Sequence, residues 1–238
     1  MMETENEKNQ HEDASQLEVS RPLSRADMRA RALERIDRIN TEFKDGFEFL
    51  ENYPKSVTFF GSSVVNENNE FYKKAQSLAH RISNELKCAV VTGGGPGIME
   101  AANRGAYEAE GTSLGITIKL PREQTTNPYL TDRIALQYFF ARKVCLSFSA
   151  EVFIFFPGGY GTLDELFEIL TLVQTRKIRS IPIVLVCSEF WKPFEKFLYE
   201  NILSLGMIDD SDLSLFTIED NEDKILDLIR NAPERNEY

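Results

Sequence analysis

Histidine is nearly absent from this chain. Its 238 residues hold two, His11 near the start and His80 in a stretch of helical periodicity, so histidine-based metal sites and catalytic triads are set aside. Cysteine is scarce as well: Cys88, Cys145 and Cys187 are odd in number, scattered and set among apolar residues. That is the pattern of reduced core thiols in a cytoplasmic protein, not of a disulfide framework or a zinc site. No apolar run reaches the roughly 20 residues of a membrane span, and the acidic N-terminus lacks the apolar core of a secretory signal. Basic charge is in deficit, 27 Lys and Arg against 38 Asp and Glu for a net −11, which argues against a general nucleic-acid surface. An anionic ligand would have to be held by local design.

Two phosphate-binding signatures are missing too. The dinucleotide fingerprint starting at Gly93 would need a glycine at 98, which is Ile98, and starting at Gly159 it would need one at 164, which is Asp164. No Gly-Lys-Ser/Thr follows any glycine cluster, so the Walker pattern fails. NAD binding and Walker-type ATP hydrolysis are both disfavoured.

What the chain does have is a repeating alternation of apolar strands and amphipathic helices. Residues 1–23 are polar and charged, an expected disordered tail. Residues 24–53 read as one long amphipathic helix with Ser24 as N-cap and Ile36, Ile39, Phe43, Phe47 and Leu50 at spacings of three and four. It ends before Pro54; it either packs on the domain or forms a subunit contact. Residues 54–232 alternate β-α-β-α-β and onward: strands at 56–60, 88–92, 114–118, 152–156, 181–186 and 216–218, a short extra one at 134–138, and helices between them. The expected fold class is α/β, a Rossmann-like doubly wound parallel sheet in a single domain with an N-terminal helical extension.

Three strands break at Gly or Ser: at Gly61-Ser62-Ser63, at Gly93-Gly94-Gly95-Pro96-Gly97, and at Gly158-Gly159-Tyr160-Gly161-Thr162. In an open parallel sheet the carboxyl ends of strands share one edge, so the three breaks are expected to converge on one pocket. Glycines admit close backbone approach to an anion, and the helix expected from Thr162 adds partial positive charge at its N-terminus. One such end suits one phosphate, hence a nucleoside monophosphate or another small phosphate ester. Asp164 and Glu165 are then either acids favoured in a first helical turn or, for one of them, a catalytic group beside that phosphate. Arg142-Lys143, among apolar residues, is either a snorkelling pair or a functional one. The polar loop 119–131 at a strand's carboxyl end is a candidate binding segment.

Taken together, Gly93-Gly94-Gly95-Pro96-Gly97-Ile98-Met99-Glu100-Ala101, Arg142-Lys143 and Pro157-Gly158-Gly159-Tyr160-Gly161-Thr162-Leu163-Asp164-Glu165 resemble the LONELY GUY family over roughly residues 57–218. Its members are cytokinin riboside 5′-monophosphate phosphoribohydrolases, formerly mislabelled lysine decarboxylases. The tail and long first helix lie outside the short plant-type pattern and suggest a longer, bacterial-type variant. The resemblance implies hydrolysis of AMP or N6-modified AMP to free base and ribose 5-phosphate, with no cofactor and no metal, in a homodimer or larger homo-oligomer. By motif position it implies Glu165 as the catalytic carboxylate and Arg142 as the catalytic arginine. Lys143, Gly159, Gly161, Thr162 and Thr171 would contact substrate, with Glu123 a further contact in the 119–131 loop. Asp164 is expected to serve the helix start. A non-catalytic nucleotide sensor on the same fold is the rival reading.

Overall fold

The computed structural model describes residues 24–119 and 126–233. Seven parallel strands form one sheet in the order β4-β3-β2-β1-β5-β6-β7. These are β1 Ser56–Phe60, β2 Ala89–Thr92, β3 Ser113–Ile118, β4 Asp132–Leu136, β5 Val152–Phe155, β6 Ile183–Leu185 and β7 Thr217–Ile218. The helices are α1 Arg25–Glu51, α2 Glu70–Arg81, α3 Ile98–Glu108, α4 Phe139–Ser147, α5 Tyr160–Gln174, α6 Ser188–Phe197 and α7 Glu222–Arg230.

The central strands are apolar on both faces because helices cover both, the usual condition of a parallel sheet. Successive residues point to opposite sides, so neighbours serve different cores. Phe60 stacks on Phe155 with ring centroids 4.8 Å apart, and Phe59 stacks on Phe156 at 6.2 Å. Phe60, Phe153 and Phe155 belong to one core with Trp191, while Phe59, Ile154 and Phe156 belong to the other with Tyr72 and Ile98. Each such ring contributes roughly 1.5–3 kcal/mol by leaving water. All three cysteines are free thiols, with Cys145 and Cys187 buried; burial pushes each of these two up to about 11.

The chain builds β1 through β4 in one direction and returns to place β5 on the other side of β1. The strand order therefore reverses between β1 and β5, where the loops diverge and leave a crevice. The extra strand expected at 134–138 lies two residues earlier, at Asp132–Leu136, because all five of its residues pair with β3. Expected helix α5 also starts earlier, at Tyr160 rather than Thr162. Gly159 is extended and caps it, and Leu163 N–H donates to Gly159 O at 3.1 Å.

Compact units divide at Arg38/Ile39, within α1. The first unit carries the capping pair anticipated at Ser24: Asp27 N–H donates to Ser24 Oγ at 3.1 Å, and Ser24 N–H donates to Asp27 Oδ2 at 3.0 Å. Its Met28, Leu33 and Ile36 are exposed. In the second unit the rest of α1 lies along α4. Phe43 meets Phe140, Phe47 meets Phe148 edge-on, Gly46 faces Cys145, and Leu50 joins the core. The Glu42 carboxylate accepts from the N–H of Gln137 at 2.6 Å and of Tyr138 at 3.0 Å. It thereby caps α4, which has no side-chain cap of its own. Among the described residues no helix is long and apolar enough to cross a membrane.

Candidate functional site

The three glycine-bearing breaks meet through their backbones. Ser62 N–H donates to Pro157 O at 3.0 Å, and Ile98 N–H donates to Ser62 O at 2.9 Å. The β1 loop is thus held between the β5 loop and the start of α3. This contact demands glycine at 97. There φ is +74°, and a methyl group would strike the Ser62 carbonyl oxygen.

Over these loops lies a pocket of about 420 Å³. Gly61 and Ser62 form one part of its wall, Gly93 another, and Gly159, Tyr160, Gly161 and Thr162 the mouth of α5. The first N–H groups of a helix have no partner within it, so this end presents donors and the positive end of the helix dipole to the pocket. Gly159 and Gly161 face open space. Tyr160 is almost fully exposed, and Thr162 is buried against Gly158.

Arg142 and Glu165 line the same pocket. Arg142, on α4, donates from Nε to Ile116 O at 2.9 Å. Its guanidinium lies over Gly93, where a methyl would collide with it. Burial lowers the Arg142 pKa, and the nearby Glu165 charge works against that. Glu165, on α5, has a buried Oε2 with no hydrogen-bond partner among the described residues. Burial raises its carboxyl to about 7, reinforced by Glu168 and Asp164 and opposed by Lys143 and Arg142. Because α5 begins at Tyr160, Asp164 and Glu165 fall in its second turn. The first-turn role expected of Asp164 is thereby corrected: it is an exposed partner of Lys143, 2.8 Å away.

The other anticipated residues divide. Gly61, Ser62, Gly93, Gly159, Tyr160, Gly161 and Thr162 come together around Arg142 and Glu165. Gly158 lies just beneath, against Thr162 and Ser62 N. Gly94 and Gly95 stand behind the wall, where their carbonyls accept from Asn127 N–H and Nδ2 at 3.0 and 3.1 Å. Lys143 is off the wall, ion-paired to Asp164 and Glu168. Thr171 lies farther along α5 and lines a different, apolar pocket with Phe167 and Leu170. Glu123 lies outside the described residues. Sequence reasoning missed Met99, Leu146 and Val64, which supply apolar wall, as well as Glu168. Helical spacing held the signal for two of them, since Leu146 is four residues after Arg142 and Glu168 three after Glu165. Among the described residues no group of His, Cys, Asp and Glu is placed to hold a metal ion.

A family model described as "Possible lysine decarboxylase" matches residues 99–229, more than half of the chain. The cytokinin riboside 5′-monophosphate phosphoribohydrolase of Rhodococcoides fascians is 25% identical over 150 residues, covering 61% of this chain and 74% of that protein. Cytokinin riboside 5′-monophosphate phosphoribohydrolase LOG2 of Arabidopsis thaliana is 31% identical over 129 residues, covering 53% of this chain and 60% of that one. Among solved structures, the molybdenum cofactor binding protein from Rippkaea orientalis superposes with a TM-score of 0.52 at 24% identity, covering 74% of this chain and 93% of that one. That last likeness is one of fold alone.

Proposed function

The chain belongs to the LONELY GUY family, which the matching family model and the phosphoribohydrolase relatives represent, and we propose that it hydrolyses the N-glycosidic bond of AMP or N6-modified AMP. The products are free base and ribose 5-phosphate. One observation carries the reading: a buried carboxylate oxygen of Glu165, without a hydrogen-bond partner among the described residues, shares a pocket with an arginine and a glycine-lined helix N-terminus.

The 5′-phosphate binds the N–H groups at Gly159–Thr162, with Gly61 and Ser62 alongside. That fixes the sugar so that its anomeric carbon lies near Glu165. As the C1′–N bond breaks, its electron pair goes to the purine, which takes up a proton from solvent, and the sugar becomes oxocarbenium-like. Glu165 stabilises that charge as a carboxylate, orients water and takes its proton while the water oxygen bonds to C1′. Arg142 is too basic to act as an ordinary proton donor; it donates hydrogen bonds to the departing purine or to the phosphate. Lysine decarboxylation through an imine would need a lysine able to lose its proton at the site. Lys143 is held as a cation by Asp164 and Glu168, which outweigh its burial and raise its pKa. Among the described residues no lysine lines the pocket.

We place the protein in the cytoplasm as a homodimer or larger homo-oligomer. The free thiols fit a reducing compartment, and the exposed Met28, Leu33 and Ile36 of α1 offer apolar area to a partner. Incubation with AMP and with N6-isopentenyl-AMP, with chromatography of base and ribose 5-phosphate, tests the activity. Release of both products is expected; nucleotide binding by calorimetry with no release from either substrate would leave a sensor instead. Light scattering tests the assembly.

A further inference from the structure

Beside the pocket lies an ion pair that the reaction above does not use. Lys143 Nζ sits 2.9 Å from Glu168 Oε2 and 2.8 Å from Asp164 Oδ2. The Lys143 and Glu168 side chains are 22% and 29% exposed, whereas Asp164 is 64% exposed. Lys143 donates its hydrogen bond to the more exposed Asp164, while the more sheltered contact, Lys143–Glu168, is an ion pair without hydrogen-bond geometry. We propose that Glu168 is a positioning residue: by holding the Lys143 ammonium away from Glu165, it keeps the Glu165 carboxylate unpaired and available to the substrate. The inference rests on the reading of Glu165 as the proton acceptor.

The geometry leaves Lys143 a choice of carboxylates. Asp164, Glu165 and Glu168 stand at i, i+1 and i+4 on α5, so Asp164 and Glu168 share one edge of the helix while Glu165 turns toward the pocket. Lys143 is close enough to Glu165 to act on its charge, yet Glu165 Oε2 has no hydrogen-bond partner among the described residues. Among the described residues the charged groups acting on Glu165 are Arg142 and Lys143 from α4 and Asp164 and Glu168 from α5. The β1 and β2 loops bring Gly61, Ser62, Ser63 and Gly93 to the wall, none of them ionisable in this range. Removing the Glu168 charge does two things with the same sign. It takes away a like charge from Glu165 and frees the ammonium to pair with it, and both favour ionised Glu165. A carboxylate so paired is a weaker base.

The experiment is a carbon-13 carboxyl NMR titration of Glu165 in the full chain, assigned by the signal lost in Glu165→Gln. The pH profile of kcat/KM for AMP is measured alongside. In Glu168→Gln the Glu165 midpoint is expected about one unit lower, with kcat reduced and KM changed far less. Glu168→Asp should restore part of the shift, and Asp164→Asn should move the midpoint less than Glu168→Gln does. Should Glu168→Gln fail to fold by circular dichroism, Lys143→Met serves instead and should raise the midpoint. A midpoint unmoved in folded Glu168→Gln, or unmoved or lowered in Lys143→Met, overturns the inference. A midpoint that moves as stated while the wild type releases no base sustains the positioning role and overturns the hydrolase reading alone.

Discussion

Burial raises a carboxyl most where no hydrogen bond compensates it, and Glu165 is buried with an Oε2 that has no hydrogen-bond partner among the described residues. The consequence for stability has a definite sign. Because burial raises the native carboxyl to about 7 from an ordinary 4.5, the native state binds more protons than the unfolded chain between those values. Stability therefore falls as pH rises from about 4.5 to about 7. Glu165→Gln removes that penalty. Thermal melts should show the variant more stable at pH 8, on the order of 1–3 kcal/mol after allowing for solvent access, with the gap closing by pH 4.5. Turnover of AMP by the same variant should fall by about 10²–10⁴ while nucleotide binding persists. Wild-type activity should rise as pH passes 7, because the reaction needs the ionised form.

At the scale of elements, the glycines separate into those that shape the loops and those that clear space for a side chain. Gly97 has both a left-handed backbone and a carbonyl against it. Gly97→Ala should cost more than about 2 kcal/mol in a denaturant melt, from strain and displacement of Ser62 together. At Gly93 the obstacle is the end of the Arg142 side chain and the Met99 sulfur, both able to swing aside. Gly93→Ala should fold within about 1 kcal/mol of wild type and yet lose most of its activity, since Arg142 is expelled from its seat. The strands themselves were legible from apolar runs such as Val152–Phe156, and the convergence of the three breaks followed from parallel topology. The start of α5 was not. A glycine at 161 looks like the last residue of a turn in sequence, and only the Gly159 carbonyl bound by Leu163 N–H makes it the second residue of a helix. The ion pair of Lys143 was not legible either: neighbours on a helix point about 100° apart, so it faces differently from Arg142, and its acids come from another element.

For the whole molecule, the question is where the folded unit begins. Periodicity in 24–53 marked one helix without telling its buried half from its exposed half, because Ile36 continues the same stripe as Phe43 and Phe47. Compactness starts at Ile39, and Leu50 is buried in the core. Deleting residues 1–38 should leave the thermal midpoint within a few degrees of the full chain. Deleting 1–53 strips buried Leu50 and half-buried Phe43 and Phe47 from their partners and should cost a few kcal/mol, since a fully buried side chain is worth roughly 1.5–3 and a half-buried one less. A shorter chain that melts with the full one would place the boundary after 53. The Glu42 carboxylate adds something that no melt would show. Two amide protons, on Gln137 and Tyr138, are covered by it at the head of the helix that carries Arg142. Their exchange with deuterated solvent becomes a gauge of that helix, readable with no nucleotide present. In Glu42→Ala both should exchange faster, reporting how firmly a residue of α1 seats the arginine.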